Sequence, residues 1–232
     1  MCSVEITSRQ AAEQLGVTQQ RIQTLFAAGD VRGRMVAGRL VVDSADIQTR
    51  LVRRPGRGRP LVVRVAWGML WELSGERAHW LAASERSRLV ANIRKLDGDD
   101  VVLRVRRRST LHRYRILPTY VDRLTDDAAC VAGGVSAASA VGADIVAIGF
   151  AEVYTAGPTH DRLVREYAMV EADDDADVNV NLRVLDDDLA FLLEGRAHMP
   201  SAVVACDLME SSEPRTRRAG TLVLGDLLSR FR

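Results

Sequence analysis

The chain of 232 residues is 47% hydrophobic and 27% charged, which excludes wholesale disorder. Its apolar runs, such as Ile145–Phe150 and Leu222–Leu224, fall far short of the ~20 residues a membrane span needs. Three widely spread cysteines (Cys2, Cys130, Cys206), and no charged start followed by an apolar segment, predict a cytoplasmic protein without a disulfide framework. The net charge of +1 hides an asymmetry: residues 1–115 carry 22 Lys/Arg against 11 Asp/Glu, and residues 116–232 carry 10 against 20. The expectation is an N-terminal part that faces a polyanion and a C-terminal part that avoids one.

Helical periodicity begins at Ser8–Leu15, with Ala11, Ala12 and Leu15 on one face and Thr7 or Ser8 as N-cap. Gly16 interrupts it, and Thr18 opens a second helix to Ala28 whose buried stripe is Ile22, Leu25 and Phe26. Strand-like Arg34–Val36 and Leu40–Val42 flank a hairpin turn at Ala37-Gly38-Arg39, and Asp43 or Ser44 caps a third helix through Leu51. Ala12, Gly16, Val17, Ile22 and Leu25 have the spacing of a helix-turn-helix. Thr18, Gln19, Gln20, Arg21, Gln23 and Thr24 then lie on its outer face, where Gln can bond adenine and Arg guanine bidentately. Arg34 and Arg39 sit where a wing meets phosphates or the minor groove.

Ile6–Thr18, Ala28-Gly29-Asp30-Val31, Val36-Ala37-Gly38-Arg39 and Asp43-Ser44-Ala45-Asp46-Ile47 together resemble MerR-like and excisionase-like winged helix-turn-helix domains. That resemblance implies a fold and double-stranded DNA as partner.

Arg53-Arg54-Pro55-Gly56-Arg57-Gly58-Arg59-Pro60 has no large apolar side chain and reads as an exposed basic linker. Its Arg57-Gly58-Arg59-Pro60 resembles an AT-hook core, whose arginines enter a narrow A/T minor groove; a solvated linker tracking phosphates is the alternative. Leu61–Leu73 and Ser84–Leu96 are helical patterns, and Trp67 and Trp71 in the first fit core packing better than a stacking platform. Leu103–Arg115 is open between helix and strand. Arg104, Arg106, Arg107, Arg108, Arg113 and Arg115 within it repel one another unless an anion is near, so phosphate contact is weighed against a solvated face.

In the acidic half Ser136–Val141 and Thr159–Met169 read as helices, Ile145–Tyr154 as strand-like, and Val178–Val184 as a half-buried strand. Pro200–Met209 and Pro214–Phe231 are closing helices, the second with Ser212 as a candidate N-cap. The fold class expected is α+β. Residues 1–54 form a winged helix-turn-helix and 55–60 a basic linker, followed by a basic helical or winged-helix-like module (61–118) and an acidic α+β domain (119–232).

Tyr114-Arg115-Ile116-Leu117-Pro118, Gly134-Val135-Ser136-Ala137-Ala138, Val203–Met209 and Pro214–Gly220 are similar to actinobacterial AbiE-type antitoxins. Such a protein represses its own operon and offsets a nucleotidyltransferase-like toxin.

Asp173, Asp175, Asp177 and Asn179 alternate, but Val178 and Val184 stand where a calcium loop needs Gly and Glu. His79, His112, His160 and His198 lack metal-ligand spacing, and neither a P-loop nor a GxGxxG is present. No cofactor, metal, membrane or catalytic site is expected. The expected function is a nucleoid-associated transcriptional repressor of antitoxin type, with its oligomeric state open and a homodimer on DNA one arrangement. The competing readings are an excisionase-like architectural protein, a ligand-sensing regulator whose acidic domain binds a small molecule, and a nucleic-acid enzyme.

Overall fold

Thr7 starts the first helix through a reciprocal pair of bonds. Its Oγ1 accepts from the Gln10 amide (3.2 Å), and its own amide donates to Gln10 Oε1 (3.0 Å). This Thr-x-x-Gln arrangement is a capping box, which satisfies two otherwise unpaired amides at the helix start. A computed structural model describes residues 5–15, 17–27, 31–36, 38–47, 60–146, 148–172 and 177–231. The fold is mixed α+β and divides into two compact units, Met1–Gly56 and Arg57–Arg232.

The first unit runs β1 (Glu5–Thr7), α1 (Ser8–Leu15), α2 (Gln19–Ala27), β2 (Gly33–Val36), β3 (Arg39–Asp43) and α3, helical at residues 44–47. Its sheet has the antiparallel order β1-β3-β2. Strand β1 was not expected; three residues are too few to show alternation. Arg34 pairs with Val41 and Val36 with Arg39 across the hairpin, where Gly38 adopts φ 76°, a left-handed conformation that costs glycine little. The Thr18 hydroxyl caps α2 by accepting from the Arg21 amide (3.3 Å), and Asp43 accepts from the Ala45 amide (2.9 Å) where α3 begins. Ala11, Ala12, Leu15, Ile22, Leu25, Val31, Leu40, Val42 and Ile47 form the core. Gly16, Ala28–Asp30, Ala37 and the expected end of the third helix lie outside the described residues.

The second unit contains α4 (Val63–Leu73), α5 (Ala83–Ile93), α6 (Gly98–Val105), β4 (Thr110–Arg115), α7 (Val121–Thr125), β5 (Val131–Ala132), β6 (Ala151–Ala156), α8 (Gly157–Glu166), β7 (Val170–Glu171), β8 (Val180–Leu185), α9 (Ser201–Glu210) and α10 (Pro214–Phe231). The sheet order is β5-β6-β8-β4-β7, with β6 and β8 parallel and the other pairs antiparallel. The chain crosses over between β6 and β8, as parallel neighbours require, and α8 lies in that crossover. The boundary expected at residue 118 is not a boundary, because β4 pairs with β8 and β7 from the C-terminal half.

Leu103–Arg115 resolves into both alternatives: α6 ends at Val105, and β4 starts at Thr110. Ser136–Val141 forms 3-10 turns rather than one helix, at Gly134–Ala137 and Ser139–Val141. Strand β6 starts only at Ala151. Helix α10 begins at Pro214, with the Glu213 carbonyl accepting from Arg217, so Ser212 lies one residue outside the cap position.

Both faces of the sheet are covered at its centre, over β6 and β8, while β4 leaves Leu111, Arg113 and Arg115 exposed. Ala151, Val153, Val180 and Leu182 pack with Leu124, Leu163 and Tyr167 on one side. On the other, Tyr154 and Leu185 join Trp67, Leu70, Val203 and Leu208. Strand β8 is therefore buried on both faces rather than half-buried, and the alternation of Val180, Leu182 and Val184 reports only one of them. Trp67 and Trp71 are buried in an edge-to-face series with Tyr154 and Trp80, which is core packing.

Candidate nucleic-acid interface

Helix α2 buries Ile22 and Leu25 and turns the rest of its first two turns outward. Thr18, Gln19, Gln20, Arg21, Gln23 and Thr24 are all exposed, and their hydrogen bonds sort them. Thr18 is occupied as the cap. Gln19 Nε2 donates to Ser8 Oγ (2.8 Å), which fastens α2 to the start of α1. Thr24 Oγ1 donates to the Gln20 carbonyl (3.0 Å). The side chains of Gln20, Arg21 and Gln23 make no hydrogen bond or ion pair with any described residue. Three of the six expected base-reading residues thus hold the helix, and three present open polar groups.

On the hairpin, Arg34 forms a two-pronged pair with Glu5 across the sheet (2.8 and 2.9 Å). The bond holds the Glu5 carboxyl below its ordinary value and raises the guanidinium. Arg39 is exposed at the far end of the turn, and Met35 and Val36 beside it are exposed as well. Arg32, which sequence reasoning passed over, clamps Asp46 through its amide (2.6 Å) and guanidinium (2.9 Å), tying the hairpin to α3. Arg53, Arg54, Arg57 and Arg59 lie outside the described residues.

The second arginine cluster divides. Arg106, Arg107 and Arg113 are exposed on the second unit. Arg115 pairs with Asp177 at 3.5 Å. Arg108 corrects the expectation of a phosphate contact: its side chain is 1% exposed and cannot reach a ligand in solvent. It bonds Asp207 on α9, donates to Glu210 Oε1 (2.6 Å) and to the Tyr154 hydroxyl (3.3 Å), and its carbonyl accepts from Trp67 Nε1 (2.8 Å). The anion that offsets the arginine repulsion is, at this position, inside the protein.

Arg183 on β8 completes that buried layer, reaching Glu152 Oε1 (3.0 Å) and Glu210 Oε2 (2.9 Å). Asp207 also accepts from Tyr154 (2.7 Å) and the Gly134 amide (3.1 Å). Three carboxylates face two guanidiniums. Burial raises the Glu152 carboxyl, with Asp207 adding repulsion against the pull of Arg183. Burial also opposes ionisation of Glu210, but Arg108 and Arg183 override it and hold that carboxyl low. Burial pushes the Cys206 thiol up to about 12, which keeps it protonated and unreactive at neutral pH.

A second grouping also escaped sequence reasoning. The rings of His112 and His160 stand 4.6 Å apart, and His160 Nε2 meets the Tyr114 hydroxyl at 2.9 Å. The i, i+2 spacing of His112 and Tyr114 on one strand face was the available signal. Burial, with His160 beside it, lowers the His112 pKa. Among the described residues no group of three or more His, Cys, Asp or Glu is arranged to hold a metal, and no helix is long and apolar enough to cross a membrane.

No family model, curated protein or solved structure matches the chain.

Proposed function

We propose that the chain is a sequence-specific, non-catalytic regulator that binds double-stranded DNA, with residues 1–54 acting as a winged helix-turn-helix. One observation carries this reading: Gln20, Arg21 and Gln23 are exposed and unpartnered on α2, opposite Ile22 and Leu25 in the core. A recognition helix needs donors and acceptors that are not already satisfied within the protein, on a support that does not rotate. The caps of Thr7 and Thr18 and the Gln19–Ser8 bond supply that support. Arg39, and Arg34 after exchanging Glu5 for phosphate, are the backbone contacts of the wing, and Arg53, Arg54, Arg57 and Arg59 add positive charge that releases further counterions.

The biological role proposed is autorepression by an AbiE-type antitoxin in the cytoplasm, with the acidic C-terminal unit acting against the toxin. The likeness noted at Tyr114–Pro118, Gly134–Ala138, Val203–Met209 and Pro214–Gly220 supports it, as does the surplus of carboxylates in residues 116–232, which DNA repels. Selection of bound duplexes from a random pool, followed by footprinting, tests the DNA reading. One enriched motif with a protected stretch is expected; equal retention of all duplexes would overturn it. In cells, the full chain carrying Gln20→Ala and Arg21→Ala is expected to lose repression of its own promoter and still relieve the toxin's inhibition of growth.

A further inference from the structure

Helix α10 packs on α9 through Gly220, where any side chain would meet the Ala205 carbonyl and Leu208. Its opposite face has no such cover. Arg218, Leu222 and Asp226 recur every four residues along that face, all exposed, and Leu222 is 64% exposed. Arg218 and Asp226 make no ion pair with the described residues. Two helical turns, about 12 Å, separate them, too far for them to pair with each other. Gly225 lies in the same stripe, and a Cβ there would meet nothing within 4 Å. Glycine is a poor helix former, and no contact with the described residues requires it at this mid-helix position. The stripe itself borders a groove of about 470 Å³, which Val141, Ala143 and Ile145 line together with Val223 and Leu227, and within which Arg215 pairs with Asp144 at 3.2 Å.

We propose that this face of α10 binds a second copy of the chain, with the two α10 helices antiparallel about a two-fold axis at Leu222. Charge complementarity under that symmetry selects the occupant. An axis at Leu222 sets Arg218 against the partner's Asp226, and Asp226 against the partner's Arg218, so one residue pair yields two cross-helix ion pairs. Ala219 and Gly225 flank Leu222, one on each side of the contact. The small side chains let the helix axes approach, while Leu222 packs on its own copy and the partner helix covers the groove. The inference stands on α10 alone and is independent of the DNA reading.

Sedimentation velocity of the full chain over roughly 1–100 µM tests it, with circular dichroism confirming that each variant folds. A dimer is expected. Arg218→Asp or Asp226→Arg alone sets like charges face to face and is expected to weaken it about tenfold or more, whereas the double exchange R218D/D226R restores the pairs and the dimer. Gly225→Leu has room within one chain and is expected to abolish the dimer. A wild-type monomer across the range would overturn the proposal. So would a dimer indifferent to these substitutions, or a double exchange that fails to rescue.

Discussion

Arg21 and Arg108 place the same side chain in opposite surroundings. On α2, Arg21 stands in solvent with no partner among the described residues, and its neighbours Gln20 and Gln23 are equally open. Under α9, Arg108 is enclosed by Asp207, Glu210 and Tyr154, and every one of these contacts is internal. An exposed guanidinium keeps its hydration and is free to exchange water for a phosphate or a guanine edge. A buried one is committed, because removing either side of the pair strands a charge in a poorly solvated interior. Arginine density alone therefore does not distinguish an open face from a buried ion-pair layer.

The largest effect that would break this comparison concerns Arg108. Replacing it by Ala is expected to cost about 3–5 kcal/mol of unfolding free energy in the second unit, through the stranded Asp207 and Glu210. Urea denaturation followed by tryptophan fluorescence reads this, since Trp67 bonds the Arg108 carbonyl. DNA affinity of the folded variant should be unchanged; lost affinity with intact stability would instead return Arg108 to the interface. The linker comes next. Changing Arg57 and Arg59 to Ala should flatten the slope of log K against log salt by about two, one unit per phosphate released. An unaltered slope would put the linker off the duplex, and a greater loss beside A/T pairs would mark a minor-groove contact.

Smaller shifts sharpen the picture. Thr18→Ala removes the α2 cap and should cost about 1 kcal/mol of first-unit stability, with Thr18→Ser close to wild type. A Ser variant as damaging as Ala would point to a role beyond capping. The smallest expected effect is the pH response of His112. Its folded-state pKa is lowered by burial and by His160, so folding resists a proton that the unfolded chain takes up below about pH 6.5. Stability should hold above that pH and decline below it. His112→Gln should lessen the decline between about pH 7 and 5, and an identical decline in the variant would contradict the assignment.

Local signals made the first unit legible. The 3.6-residue spacing of Ala11, Ala12 and Leu15, the caps at Thr7 and Thr18, and Gly38 in the hairpin are each decided within a few residues of chain. Helix α10 was legible for the same reason, starting at Pro214. The charged layer of the second unit was not. Arg108 finds Asp207 and Glu210 at separations of 99 and 102 residues, and no local pattern distinguishes it from the exposed Arg106 and Arg107. Arg183 was hidden because its strand shows an apolar alternation on one face while the other face is covered by α9. The open α2 face was legible as a set of six residues; that Gln19 spends its amide on Ser8 depended on the geometry of α1 against α2, whereas Thr24 bonds back to the Gln20 carbonyl within α2 itself.

The central claim is that α2 reads bases with side chains the protein leaves unsatisfied. Its most direct test is a mobility-shift titration of the wild type, Gln20→Ala and Arg21→Ala on the selected duplex and on a scrambled duplex at one fixed salt concentration. Each substitution is expected to cost about 1–3 kcal/mol on the selected duplex and little on the scrambled one. Equal losses on both duplexes, or none on either, would contradict base readout by this helix.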